Sequence, residues 1–152
     1  MTEVLFYHLE RQPLDRVLPV LLQKTLERGW RAVVRCGVPE RIRPLSDAVW
    51  TWREESFIPH GTAEDGNAGH QPVWITDGTE NPNGASVLFC VEGARPQDDE
   101  LTELERVIVM FSGHDPDAVE AARAMWREWK EREGLELTYW RQDPRGRWER
   151  QA

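Results

Sequence analysis

Long apolar runs are missing from this sequence. None approaches the ~20 residues that a membrane-crossing helix needs. Cysteine is scarce, with two in 152 residues. Cys36 and Cys90 lie far apart in separate apolar runs and show neither CxxC nor zinc-site spacing. Two buried, reduced thiols are the expectation. Basic residues are outnumbered, 19 Lys and Arg against 27 Asp and Glu, for a net charge of −8. That balance opposes non-specific nucleic-acid binding, which depends on a cationic surface.

Enzyme signatures are also missing. There is no GxxxxGK[ST] loop and no GxGxxG. The turn after the first strand-like run is Glu10-Arg11-Gln12-Pro13, with no glycine to let a phosphate approach the backbone. A Cys-x5-Arg phosphatase loop fails by one residue at both cysteines. Ile42 and Pro96 stand where the arginine belongs, and Arg41 and Arg95 fall one short. No Gly-x-Ser-x-Gly occurs. His8, His60, His70 and His114 are scattered without metal spacing and read as surface or turn histidines. No cofactor and no metal are expected.

What remains is a globular composition, 39% hydrophobic and 30% charged. The length fits a single domain over residues 1–152. The opening MTEVLFYHLERQ has an acidic residue where a signal peptide carries basic ones, so a cytoplasmic location is expected. Charge is unevenly spread. Residues 61–105 hold ten acidic residues and one basic, Arg95, whereas residues 123–150 hold eight basic and six acidic. An anionic partner should therefore dock near the C-terminus.

Strand and helix signals alternate. Val4–Leu9 reads as a buried strand. Pro13 can open a helix with Leu14, Val17, Leu18, Leu21, Leu22 and Leu26 on one face, and Pro19 invites a kink. Ala32–Cys36 is a second strand, and Pro39 can start a second helix. Short strands follow at 73–76 and 86–91, a short acidic helix at 98–105, and a strand at 107–111. Asp115-Pro116 caps a helix expected to run to about Arg132. A last strand at 135–140 and a turn before Trp148 finish the chain. The expected fold is α/β: a mixed, mostly parallel sheet flanked by helices.

The last helix carries the most specific surface signal. At about 100° per residue, Ala118, Ala121, Ala122, Met125 and Trp129 share a face expected to be core. Arg123, Arg127 and Lys130 form a basic stripe, with Val119 and Trp126 between it and the core face. Cations beside an apolar edge suit a short acidic peptide that ends in a bulky apolar residue. The same periodicity is compatible with Trp126 as plain core. A second candidate is the irregular apolar cluster of Trp50, Trp52, Phe57, Ile58 and Pro59, either a contact surface or a loop packed on the sheet.

Phe6-Tyr7-His8-Leu9, Ala48-Val49-Trp50, Ser56-Phe57-Ile58-Pro59-His60, Ala122-Arg123, Trp126-Arg127 and Gly134 together resemble the chi subunit family of bacterial DNA polymerase III, and Trp140 and Trp148 suit that family's C-terminal end. The SFIPH stretch is the most specific of these. Arg141–Arg150 and the turn-rich Gly78–Gly84 have no residue-by-residue match. The resemblance implies a fold like that of mononucleotide-binding proteins without their phosphate loop. It implies a non-catalytic adaptor that binds the acidic C-terminal tail of single-stranded-DNA-binding protein and links it to the clamp loader in DNA replication. The tail site would fall on Val119, Arg123, Trp126, Arg127 and Lys130. Trp50, Phe57, Ile58 and Pro59 would face the psi subunit or another clamp-loader component. Neither a membrane nor much direct nucleic-acid binding is implied. The alternative is a small α/β hydrolase or nucleotide-binding enzyme with a cleft near Ser112-Gly113-His114-Asp115.

Overall fold

A computed structural model describes residues 1–51 and 58–152. Among the described residues seven strands form one sheet in the order β3-β2-β4-β5-β1-β6-β7. They are β1 Thr2–Leu9, β2 Ala32–Cys36, β3 Val73–Thr76, β4 Val87–Val91, β5 Arg106–Ser112, β6 Leu135–Gln142 and β7 Trp148–Arg150. Every pairing is parallel except that of β6 with β7. The expected mixed, mostly parallel α/β sheet is therefore the observed one. From sequence the last strand is 135–140. The structure adds β7, which the turn at Gly146 (φ +83°) folds back against β6.

The helices are α1 Leu14–Glu27, α2 Ile42–Thr51, α3 Glu100–Glu103 and α4 Pro116–Trp129. α1 carries the chain away from β1 past β5 and β4, whereas α4 carries it from β5 across β1 to β6. Right-handed crossovers running in opposite directions place their helices on opposite faces. Accordingly Val17, Leu18, Leu21 and Leu22 of α1 and Leu45 and Val49 of α2 join one core layer. Leu101 of α3 and Ala122, Met125 and Trp129 of α4 join the other. Strand parity supplies both layers. Leu5, Tyr7 and Leu9 of β1 face α1, and Val4 and Phe6 face α4.

Pro13 lies just outside α1, and Pro19 sits inside it without ending it. A proline here removes only one rung of the helix ladder. Because Pro19 is buried on the apolar face, it still contributes packing. At the far end of β2, Arg35 is buried and bonds Glu100 through both terminal nitrogens, at 2.7 and 2.8 Å. Its Nε–H donates to the Gly78 carbonyl at 2.8 Å. This fork ties α3 and the 77–80 turn to the sheet.

Cys36 and Cys90 are buried free thiols, as expected. Burial pushes the Cys90 pKa to about 12 and raises that of Cys36. Among the described residues no helix is long and apolar enough to cross a membrane.

Candidate functional site

Asp115 starts α4 by accepting the N–H groups of Asp117 and Ala118, at 3.0 and 3.4 Å, and Pro116 supplies the first turn. The helix ends at Trp129, not near Arg132. The chain must turn at Gly134 (φ +85°), whose carbonyl accepts the Thr2 N–H at the head of β1. Lys130 is thus the capping residue and lies at the end of the basic stripe.

The faces of α4 are nearly as expected. Ala122, Met125 and Trp129 are buried. Ala121 is the exception: it is exposed, at the rim of a cavity, where the expectation made it core. Arg123, Arg127 and Lys130 are exposed, while Val119 and Trp126 are half-buried.

Trp126 is neither fully buried nor fully exposed. Its ring stands edge-on to Phe6 at 5.4 Å and to Tyr139 at 6.0 Å, so part of the indole belongs to the core. The remainder lies beside exposed arginines. Arg127 reaches Glu120 at 3.2 Å, an exposed pair of little energetic weight. Arg123 makes no ion pair among the described residues.

A polar chain that sequence reasoning missed adjoins this helix. β1 and β6 pair in register, Phe6 with Tyr139 and His8 with Arg141. Strand parity then turns His8, Tyr139 and Arg141 toward the α4 side with Phe6. His8 is buried, and its Nδ1 lies 2.6 Å from the Tyr139 hydroxyl. Its Nε2 lies 2.9 Å from Glu10 Oε1. A carboxylate only accepts, so Nε2–H donates to Glu10, and Nδ1 accepts a hydrogen bond from the Tyr139 hydroxyl. The same Glu10 oxygen also receives Arg141. His114 Nε2–H donates to the Glu10 carbonyl at 2.7 Å. Gly113 makes room for this group, because a Cβ there would strike the His8 ring and the Glu10 side chain.

Burial lowers the His8 pKa first. Arg141, Arg123 and His114 lower it further, and Glu10 opposes them. Burial raises the Tyr139 pKa, so the phenol stays a neutral donor.

The expectation of surface histidines therefore fails at His8 and at His60, both buried. His60 Nδ1 donates to the Ile58 carbonyl at 2.8 Å, and Nε2 lies 3.0 Å from the Ser46 hydroxyl. Paired ring nitrogens make each a satisfied interior group. The His60 ring also packs against that of Trp50, with centroids 4.3 Å apart and the planes tilted by 44°.

The second candidate surface is only partly present. Trp50 is 41% exposed on the last turn of α2, and Pro59 is half-buried. Ile58 is 2% exposed and packs in the α1 and α2 layer, so it offers nothing to a partner. Phe57 lies outside the described residues, as does Trp52. The Trp50 and α4 surfaces stand on opposite faces of the sheet.

A cavity of about 920 Å³ opens at the C-terminal ends of β1, β4 and β5, and Ser112, His114 and Asp115 line it. This is the cleft that the enzyme reading requires, at a reversal of strand order. Its chemistry suits phosphate poorly. Asp115 already occupies the α4 N–H groups, and Arg41 is held by Asp15 at 3.4 Å and Glu92 at 3.5 Å. Arg95 is held by Glu128. Among the described residues no group of three or more metal-ligating side chains gathers.

A sequence model described as DNA polymerase III chi subunit, HolC, matches residues 1–138. The chain belongs to the DNA polymerase III chi subunit family. A probable DNA polymerase III subunit chi from Rickettsia prowazekii (strain Madrid E) is 30% identical over 91 residues. That stretch covers 60% of this chain and 55% of the relative, so the match spans about half the relative's length. The family match takes in α2 and α4 and ends before Tyr139. Arg141 and β7 lie past it.

Proposed function

We propose that this chain is a non-catalytic accessory subunit of bacterial DNA polymerase III. In this reading α4 binds the acidic C-terminal tail of single-stranded-DNA-binding protein. The Trp50 surface links the complex to the clamp loader, through a psi subunit or another of its components.

One observation carries the reading. Arg123 projects from α4 with no ion pair among the described residues, next to a half-buried Trp126. An unpaired guanidinium can take a carboxylate bidentately, and the open part of an indole can take an apolar side chain. The opposite placement of Trp50 suits two partners held at once. So small a contact should bind in roughly the micromolar range and weaken with salt.

The test is a titration with the tail peptide of the cognate single-stranded-DNA-binding protein, followed by tryptophan fluorescence. Saturable binding that Arg123→Ala abolishes supports the reading. Equal binding by the variant overturns it.

The cavity favours a second reading, an enzyme or nucleotide binder. Saturable binding of a nucleotide, displaced on mutation of Ser112 or His114, would establish it. The carboxylates around the cavity lead us to expect none.

A further inference from the structure

The polar chain beside α4 adds a residue to the acidic-peptide site. We infer that the site continues from α4 across Tyr139 to Arg141 on β6, with Glu10 as a resident counter-ion that an incoming carboxylate displaces. This rests on the acidic-tail reading of α4.

The contacts are continuous. Trp126 stands against Tyr139, Tyr139 bonds His8, His8 bonds Glu10, and Glu10 holds Arg141. A peptide whose apolar end rests by Trp126 and Arg123 therefore has Arg141 as its next cation along β6. The Arg141 side chain is 46% exposed and that of Glu10 is 29% exposed, so water and a ligand both reach the pair. Arg123 and Arg141 both lower the pKa values of His8 and Tyr139, so both cations lie within electrostatic reach of that pair. A second acidic group entering there competes with Glu10 for the same guanidinium. Exposed pairs exchange at little cost, because each is worth about 1 kcal/mol or less.

His8 makes the exchange orderly. When Arg141 leaves for the ligand, Glu10 keeps the His8 Nε2–H donor, so its carboxylate is not stranded. His114 and Gly113 hold the Glu10 backbone in place from the β5 side.

The experiment compares wild type with Arg123→Ala, Arg141→Ala, Glu10→Gln and the Glu10→Gln/Arg141→Ala double variant. The probe is a short peptide of aspartates ending in a phenylalanine with a free carboxylate, and the readout is the dissociation constant at low salt. Arg141→Ala should weaken binding about threefold to fivefold and flatten its salt dependence. Glu10→Gln, which keeps an acceptor for His8, should tighten it about threefold. In the double variant the Glu10→Gln gain should vanish, which marks a direct coupling between the two residues. If that gain persists without Arg141, Glu10 acts only through its general charge and the exchange is wrong. If Arg123→Ala weakens binding while Arg141→Ala and Glu10→Gln match wild type, the α4 site stands and this extension falls. If wild type shows no saturable binding, both fall.

Discussion

The Trp126 ring lies 5.4 Å from that of Phe6, with the planes at 68°, so a residue of the surface helix is anchored in the first strand. The contact ties the candidate binding face to β1, an interior strand of the sheet. It also separates two kinds of effect that mutation should resolve.

Trp126→Ala should lower stability by about 1–3 kcal/mol, because it removes a half-buried aromatic that packs on Phe6 and Tyr139. Arg123→Ala should change stability by less than about 0.5 kcal/mol. Urea denaturation checks both. A large loss in Arg123→Ala would show that the guanidinium has a structural role, which the reading of α4 denies.

Arg35→Ala should cost about 3–5 kcal/mol, because it strands Glu100 in a nearly dry setting. The two side chains are 5% and 13% exposed. The urea midpoint should fall sharply, with the slope of the transition unchanged. A shift below about 1 kcal/mol would mean that water reaches Glu100 once the arginine is gone.

Stability should fall as pH drops from about 7.5 to 5.5. The folded His8 pKa lies below its ordinary 6.5, chiefly through burial. In that window the unfolded chain takes up a proton that the folded chain refuses, so acid favours unfolding. Glu100 and Glu80, whose pKa values are lowered, lose their contribution only below about 4.5. Urea midpoints at the two pH values measure the slope, and His8→Gln should flatten it. An unchanged slope in that variant would clear His8 of the effect.

Neither cysteine should react with a thiol reagent at pH 8 in the folded protein. Cys36 and Cys90 are both about fully buried, and Cys90 titrates near 12. In urea two thiols per chain should appear. Reaction of one thiol without denaturant would show local opening of β2 or β4.

Much of the fold was legible because its signals are local. Val4–Leu9 is a continuous apolar run, and Asp115-Pro116 marks the start of α4 without ambiguity. The end of α4 was misread because nothing between Trp129 and Gly134 forbids helix; the pairing of Gly134 with Thr2 decides it. Ile58 shows a different limit. An apolar residue in an irregular segment has the same composition whether it faces a partner or the core, and only packing against α1 and α2 tells them apart. The basic stripe was legible from periodicity. The chain through His8, Glu10, Tyr139 and Arg141 was not, because it needs the register between two strands at opposite ends of the sequence.

The strand order has a consequence for synthesis. β1 leaves the ribosome first, yet its two neighbours are β5 and β6, which begin at Arg106 and Leu135. β1 must therefore wait, unpaired on both edges, until β5 has emerged, and its other edge waits longer still for β6. Its apolar run Val4–Leu9 is until then an exposed adhesive segment of the nascent chain. Truncation before β6 should leave ribosome-bound chains that need a holdase, whereas the completed chain folds without one.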